Sequence, residues 1–337
     1  MIAHTLHKRM GVPARAAGAL ALFCLAQAAS RADTIQPYNV NDNGLIVGEI
    51  YNGTSSTGFV YNPAGGSFTL IVPPGATNSE VVGINNNGQL VGGYTTTSGN
   101  FGFLYSGGTY TTIGVSGAYQ STFLNSGGTT AEGINNNGEI VGHWYTSAGA
   151  GDGFVYSGGT FTNTGVSDSP TFTSLYDVND SGVISGYTFS SGPGRQGFID
   201  NGGVFTAIAY PGATQTVVQG INNSGEVVGF YFLGGTSWGF IYSNGIYTSI
   251  AYPNSSSTQL FGINNLGEIV GTYTCNSCPS SDPAFFATPA GNGYAFTTFD
   301  APEPASMALL GSGSLAILGL FAVRARRKEG FSVSSRP

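Results

Sequence analysis

The chain has 337 residues, of which 8% are charged, 12% are aromatic and 54 are Gly. Typical globular chains carry about 25% charged residues, but 18 Tyr and 22 Phe exclude a solvated, disordered polymer. Between Arg31 and Arg324 the only cation is Arg195, and from Asp33 to Asp300 it stands against fifteen Asp and Glu, so residues 33–300 carry about −14. Nucleic-acid binding is excluded for that region, because counterion release needs clustered Lys and Arg; attraction to an anionic membrane surface is disfavoured for the same reason.

The first 32 residues read as a secretory signal peptide. Lys8, Arg9 and Arg15 supply the basic start, "AAGALALFCLAQAA" the apolar run, and small residues the cleavage region. Cleavage is expected after Ala32 in "SRA", with "AQA" before Ala29 as the alternative, and Cys24 departs with the signal.

Residues 33–300 contain one unit six times. Its core appears as "VNDNGLIVG" from Val40, "INNNGQLVG" from Ile84, "INNNGEIVG" from Ile134, "VNDSGVISG" from Val178, "INNSGEVVG" from Ile221 and "INNLGEIVG" from Ile263. The turn glycines Gly44, Gly88, Gly138, Gly182, Gly225 and Gly267 set a period near 44 residues, which marks a repeat architecture. The repeats lie near 35–78, 79–128, 129–172, 173–215, 216–257 and 258–300. Some fifteen residues after each turn comes a second landmark: "GFVY" at 58–61, "GFLY" at 102–105, "GFVY" at 153–156, "GFID" at 197–200, "GFIY" at 239–242 and "AFFA" at 284–287. An aromatic-Thr segment such as "TYTTI" follows. Each unit thus reads as four short strands, rich in β-branched and aromatic residues and bounded by turn residues. Outside the two ends no window keeps a 3.6-residue apolar period, so helix is expected to be nearly absent. Four antiparallel strands repeated six times predict an all-β, six-bladed β-propeller, in which blades bury their faces by stacking. Unit one starts with its first strand and unit six ends with its fourth. No strand is left to cross the seam, and face-to-face packing of those two units must close the ring.

Candidate site residues are few. Asn-Asn-x-Gly fits a tight hairpin turn in which Gly supplies the positive φ; the alternative is Ca²⁺, for which Asp42 and Asp180 are the only acids inside the turns. Glu139, Glu226 and Glu268 could suggest paired glycosidase carboxylates. They share one repeat position with Leu45, Gln89 and Val183, however, and equivalent positions form a ring, not an acid–base pair. His143, at a position filled elsewhere by Glu49, Gly93, Tyr187, Phe230 and Thr272, is expected to be partly buried beside Trp144. Neither a metal set nor a nucleophile elbow accompanies it. Cys275 and Cys278 form C-x-x-C, half a zinc site at most; in an oxidising compartment a small disulfide loop is expected. No catalytic, cofactor-binding or metal residues are assigned.

The six units are similar to the HAF-family extracellular repeats of bacterial secreted proteins. The "IN-N/D-x-G-x-VVG" half matches in all six. The second half keeps Phe59, Phe103, Phe154, Phe198, Phe240 and Phe285, but no His precedes the Phe. The resemblance implies an extracellular, propeller-like module.

The C-terminal segment 301–337 opens with "APEPAS". From Ala305 to Val323 nineteen residues carry no charge, and at ~1.5 Å per residue a helix of them matches the ~30 Å hydrocarbon core. Arg324, Arg326, Arg327 and Lys328 follow, which holds the tail in the cytoplasm and the body outside. Pro302-Glu303-Pro304, the apolar span and the basic cluster, in that order, resemble the PEP-CTERM sorting signal of Gram-negative bacteria. The resemblance implies signal peptidase and exosortase as processing partners, with transient anchoring of one transmembrane helix in the inner membrane; a plain membrane anchor is the alternative. The combined expectation is a non-catalytic protein of the cell surface or extracellular matrix that meets polysaccharide or surface proteins. A secreted hydrolase using acids on one propeller face is the alternative.

Overall fold

A computed structural model of the protein describes residues 33–121, 127–146, 151–164, 172–190, 194–275 and 283–302. The expected signal peptide with its Ala32 cleavage site, the apolar span 305–323, and Glu303, Pro304 and the basic cluster lie outside the described residues. Among those described there is no helix, and each repeat is a four-stranded antiparallel meander. Blade three shows the pattern: Thr129–Ile134, Ile140–Tyr145, Gly151–Ser157 and Thr160–Asn163, each pairing with the next. The other blades span 34–71, 78–113, 172–208, 215–250 and 257–299. The first strands of successive blades pack against one another, and the first strand of blade six packs against that of blade one, so they form the inner wall of a closed ring. The six-bladed propeller is the fold.

Two sequence landmarks prove to be register partners. The Gly of "VG" on the second strand faces the Phe of "GF" on the third: Gly48 opposite Phe59, Gly142 opposite Phe154, Gly271 opposite Phe285, and likewise in the other three blades. A Cβ on Gly142 would overlap the Thr130 carbonyl and stand 2.9 Å from the Phe154 ring, so the ring lies where the missing side chain would be. Five of the six Phe rings are under 2% exposed, and each contributes roughly 1.5–3 kcal/mol by leaving water. In blades one to five the Gly preceding the Phe meets the next blade: a Cβ on Gly153 would come within 2.6 Å of Leu175, and one on Gly239 within 2.8 Å of Leu260. Glycine there sets how closely blades stack.

The seam closes without strand exchange, as the repeat phase requires. Ile35, Ile46, Ile50 and Phe59 of blade one share a core cluster with Val270, Ala284 and Phe299 of blade six. Tyr61 stacks on Phe299 at 4.9 Å.

Candidate functional site

At one end of the central channel the six Asn turns join into two hydrogen-bonded rings. In every turn the first Asn folds back, its Oδ1 accepting from the amides two and four residues on: Asn135 takes Asn137 and Glu139, each at 3.0 Å. Its Nδ2 then donates to the matching Asn carbonyl of the next blade. The relay runs Asn41, Asn85, Asn135, Asn179, Asn222, Asn264 and back to Asn41, with every bond 2.9–3.2 Å long. A second ring uses the next residue: Asp42, Asn86, Asn136, Asp180, Asn223 and Asn265 each donate a backbone N–H to the following side-chain oxygen at 2.8–2.9 Å. Asp42 and Asp180 stand half a turn apart. Each offers its second carboxylate oxygen to two flanking Asn amides, Asn86 and Asn265 for Asp42, Asn136 and Asn223 for Asp180. The acids that could have suggested Ca²⁺ are thus acceptors in a closed amide ring. Glu139, Glu226 and Glu268 accept from the Nδ2 of Asn135, Asn222 and Asn264 at 3.2, 2.9 and 2.7 Å, so they brace the turns.

Below the rings, Asn39 and Asp177 occupy a position that is Gly83, Gly133, Gly220 and Gly262 in the other blades. Their blades are opposite, and the Asn39 side chain donates to the Asp177 carboxyl across the axis. Burial pushes that carboxyl up to about 7, against the lowering effect of the Ile221 and Val178 amides and of Asn39. The rings and this pair bound a cavity of about 60 Å³.

The candidate site lies beyond that pair. In all six inner strands the register slips by one residue immediately before the Asn39/Asp177 position. The skipped residues are Tyr38, Val82, Glu132, Tyr176, Gln219 and Phe261. A β-bulge re-aims the side chain it carries, and four of these six line a second cavity of about 170 Å³. Glu80, His143 and Tyr187 reach it from ladder positions, and Tyr145 and Phe172 from the strand ends. Room for the Glu80 carboxylate exists because its ladder partner is Gly93, where a Cβ would approach Oε1 to 2.9 Å.

His143 is 6% exposed and Glu132 likewise 6%. His143 Nδ1 stands 3.2 Å from Glu132 Oε1 and 3.0 Å from Ser174 Oγ, while its Nε2 is buried with no partner among the described residues. Its ring meets Tyr145 and Phe172 edge-on, each at 5.3 Å. The expected partial burial beside Trp144 is therefore corrected. Residues alternate across a strand, so Trp144 packs into the interblade core while His143 faces the channel. Tyr176 and Tyr187 stack at 5.5 Å, and Tyr38 donates to Glu49 Oε1 at 2.9 Å. Burial, then the charges of Glu49, Glu80 and Glu132, push the Tyr38 phenol well above its usual range. Burial, then Glu132, Tyr187 and Glu80, raise Tyr145 to about 12. The Tyr38 and Tyr145 hydroxyls therefore stay protonated at neutral pH.

Sequence reasoning missed Glu80 and Glu132. The signal was present: each is an acid inside an otherwise apolar inner strand, "SEVVGI" and "TTAEGI". Among the described residues no group of three or more His, Cys, Asp or Glu is placed to hold a metal. Cys275 is disulfide-bonded; Cys278, its expected partner, lies outside the described residues.

Such a closed ring of six four-stranded blades defines a β-propeller, and solved structures with this architecture include lectins. AofleA from Arthrobotrys oligospora is similar at 9% identity and a TM-score of 0.51, over 81% of this chain and 88% of that one. The SapL1 lectin, solved in complex with alpha methyl fucoside, is similar at 9% identity and 0.53, over 81% and 98%. At that identity the likeness is one of fold. No curated protein matches the chain. The family finding is C-terminal: the PEP-CTERM protein-sorting motif matches residues 300–328. The chain carries the signal of an exported, surface-sorted protein, and the motif supports an exosortase substrate. Among the described residues no helix is long and apolar enough to cross a membrane.

Proposed function

We propose that the protein is a non-catalytic binding module of the cell surface or extracellular matrix, which holds polysaccharide or a surface protein after exosortase processing. The observation that carries this reading is the convergence of five aromatic rings, two carboxylates and an unpartnered imidazole nitrogen on one cavity of a propeller bearing a sorting motif. Small-ligand sites combine an apolar lining with a few placed polar groups, and aromatic faces with acceptor oxygens suit sugar rings. The lectin SapL1, with its alpha methyl fucoside, supports a sugar as ligand. The likeness of the units to HAF-family repeats also points to an extracellular module. A glycan array probed with the full chain tests the reading. Binding that is lost in Tyr187→Leu supports it, and absence of any glycan or surface-protein partner refutes it. For sorting, intact-mass analysis of protein from the native host is decisive: a mature form retaining 305–337 refutes exosortase processing.

A secreted hydrolase is the second reading, favoured by one observation: Glu80 and Glu132 share the cavity with His143. Turnover of any glycan or ester, abolished in Glu132→Gln, would establish it over the first.

A further inference from the structure

We infer that the second cavity is a blind pocket for the terminal unit of a glycan, one hexose-sized ring at a chain end, and that it rejects the interior of a polysaccharide. The inference rests on the sugar-binding reading and goes further in fixing which part of the polymer enters. Three observations carry it.

The first is that the propeller axis is stopped. A channel open at both ends could be threaded, but here the Asn39 and Asp177 side chains meet across the axis, 9% and 7% exposed. The Gly positions level with them leave no gap: a Cβ on Gly83 would stand 2.7 Å from the Glu132 carbonyl oxygen, and one on Gly220 3.0 Å from that of Phe261. Behind the pair stand the two amide rings. Towards blades five and six, Phe261 packs edge-on against Tyr38 at 6.4 Å and against Phe230 at 6.2 Å. Entry is left at the rim, where the strands of Tyr145 and Phe172 end and begin.

The second is size. The cavity holds about 170 Å³. A cavity of about 150 Å³ accepts one benzene ring, whereas pockets for whole drug-sized ligands run to roughly 300–1,000 Å³. One six-membered ring fits, and two linked sugar units do not.

The third is the order of the wall with depth. Glu132 directly precedes Gly133 at the level of the floor, and both Glu132 and His143 are buried, whereas Tyr145, Phe172 and Tyr187 keep partial exposure. His143 Nε2 has no partner among the described residues. A sugar hydroxyl both donates and accepts, so it completes Nε2 in either proton state of the imidazole, while the ring's apolar face lies on the aromatic side chains nearer the mouth. A terminal unit carries one linkage and needs one exit. An interior unit carries two, leaving from different sides of its ring, and a blind pocket offers no second way out.

The test applies the full-length chain to a printed glycan array before and after exoglycosidase trimming, with the methyl glycosides of the terminal units as competitors. Expected are partners that share a terminal unit over differing interiors, at least tenfold loss of signal once that unit is trimmed, and inhibition by its methyl glycoside. Val82→Phe puts a ring into the cavity at a buried apolar position and should weaken binding at least tenfold. Leu266→Ala, exposed in the Asn turn of blade six, should leave binding unchanged. Should Val82→Phe fail to fold, the half-buried Tyr187→Leu carries the decision. Partners that share only an interior motif, or signal that survives trimming, would overturn chain-end recognition and leave the glycan reading standing. Terminal specificity that persists in Tyr187→Leu would overturn the cavity as the site. Absence of any glycan partner would overturn the sugar reading and this inference together.

Discussion

Replacing Asp177 by Asn isolates one buried charge at the propeller axis. The site admits two side chains only: a Cβ on Gly133 would lie 2.7 Å from the Asp177 Cα, and one on Gly262 would lie 2.7 Å from the Asn39 Cα. Asp177 is 7% exposed and accepts from the Val178 amide at 2.9 Å, from the Ile221 amide of the next blade at 3.2 Å, and from Asn39. Burial wins over these three donors and raises the carboxyl from 3.8 to about 7. The folded state therefore binds the proton more tightly than the unfolded chain. Its stabilising effect is complete below pH 3.8 and is lost as pH rises to about 7. At ~1.4 kcal/mol per unit, roughly three units are worth about 4 kcal/mol. Asp177→Asn removes that dependence but leaves one amide, that of Ile221, without its acceptor, at a pH-independent cost of about 1–3 kcal/mol.

The variant should then be less stable than the parent by about 1–3 kcal/mol near pH 4 and more stable by a similar amount near pH 8, from the same balance of terms. Urea denaturation followed by Trp fluorescence at several pH values, after reversibility is established, reads the difference directly. A difference that stays constant from acid to alkaline pH would refute the reasoning, because it would mean that Asp177 titrates alike in both states.

The amide ring and the turns give further tests by the same denaturation measurement. Burial raises the Asp180 carboxyl, but the Asn136 side chain and amide and the Asn223 side chain outweigh it and hold the group below its usual range. Asp180→Asn should cost about 1–2 kcal/mol at neutral pH through its lost amide bonds, and the cost should vanish as pH falls through that lowered pKa. Gly138 has φ +82° and open space around its Cβ position, so Gly138→Ala should cost only the ~1–2 kcal/mol of a left-handed residue. Gly142→Ala should cost about 3 kcal/mol or more, since the new methyl must displace strand backbone and Phe154 together. Equal effects of the two glycine variants would contradict the ring-over-glycine packing.

The framework could be read from the sequence because it is built from letters that recur. Six copies of Asn-Asn/Asp-x-Gly gave the hairpins, and the phase of the strands within each unit gave the seam without exchange. What six copies could not show is a contact between copies. The first Asn has a second use, donating to the next blade, which becomes visible only when the ring closes. The cavity was hidden for the opposite reason. The bulged residues are Tyr38, Val82, Glu132, Tyr176, Gln219 and Phe261, six positions with hardly a letter in common, so no motif marks them. Their ladder neighbours Glu49, Gly93, His143, Tyr187, Phe230 and Thr272 differ just as much. A propeller makes this division unavoidable. Blade-to-blade packing demands the same Phe in all six blades, whereas the second cavity is lined by blades one to four, each meeting it from a different angle. Chemistry specific to this chain must therefore sit where the repeats disagree, and the acids of blades two and three, facing His143, are where they disagree most in charge.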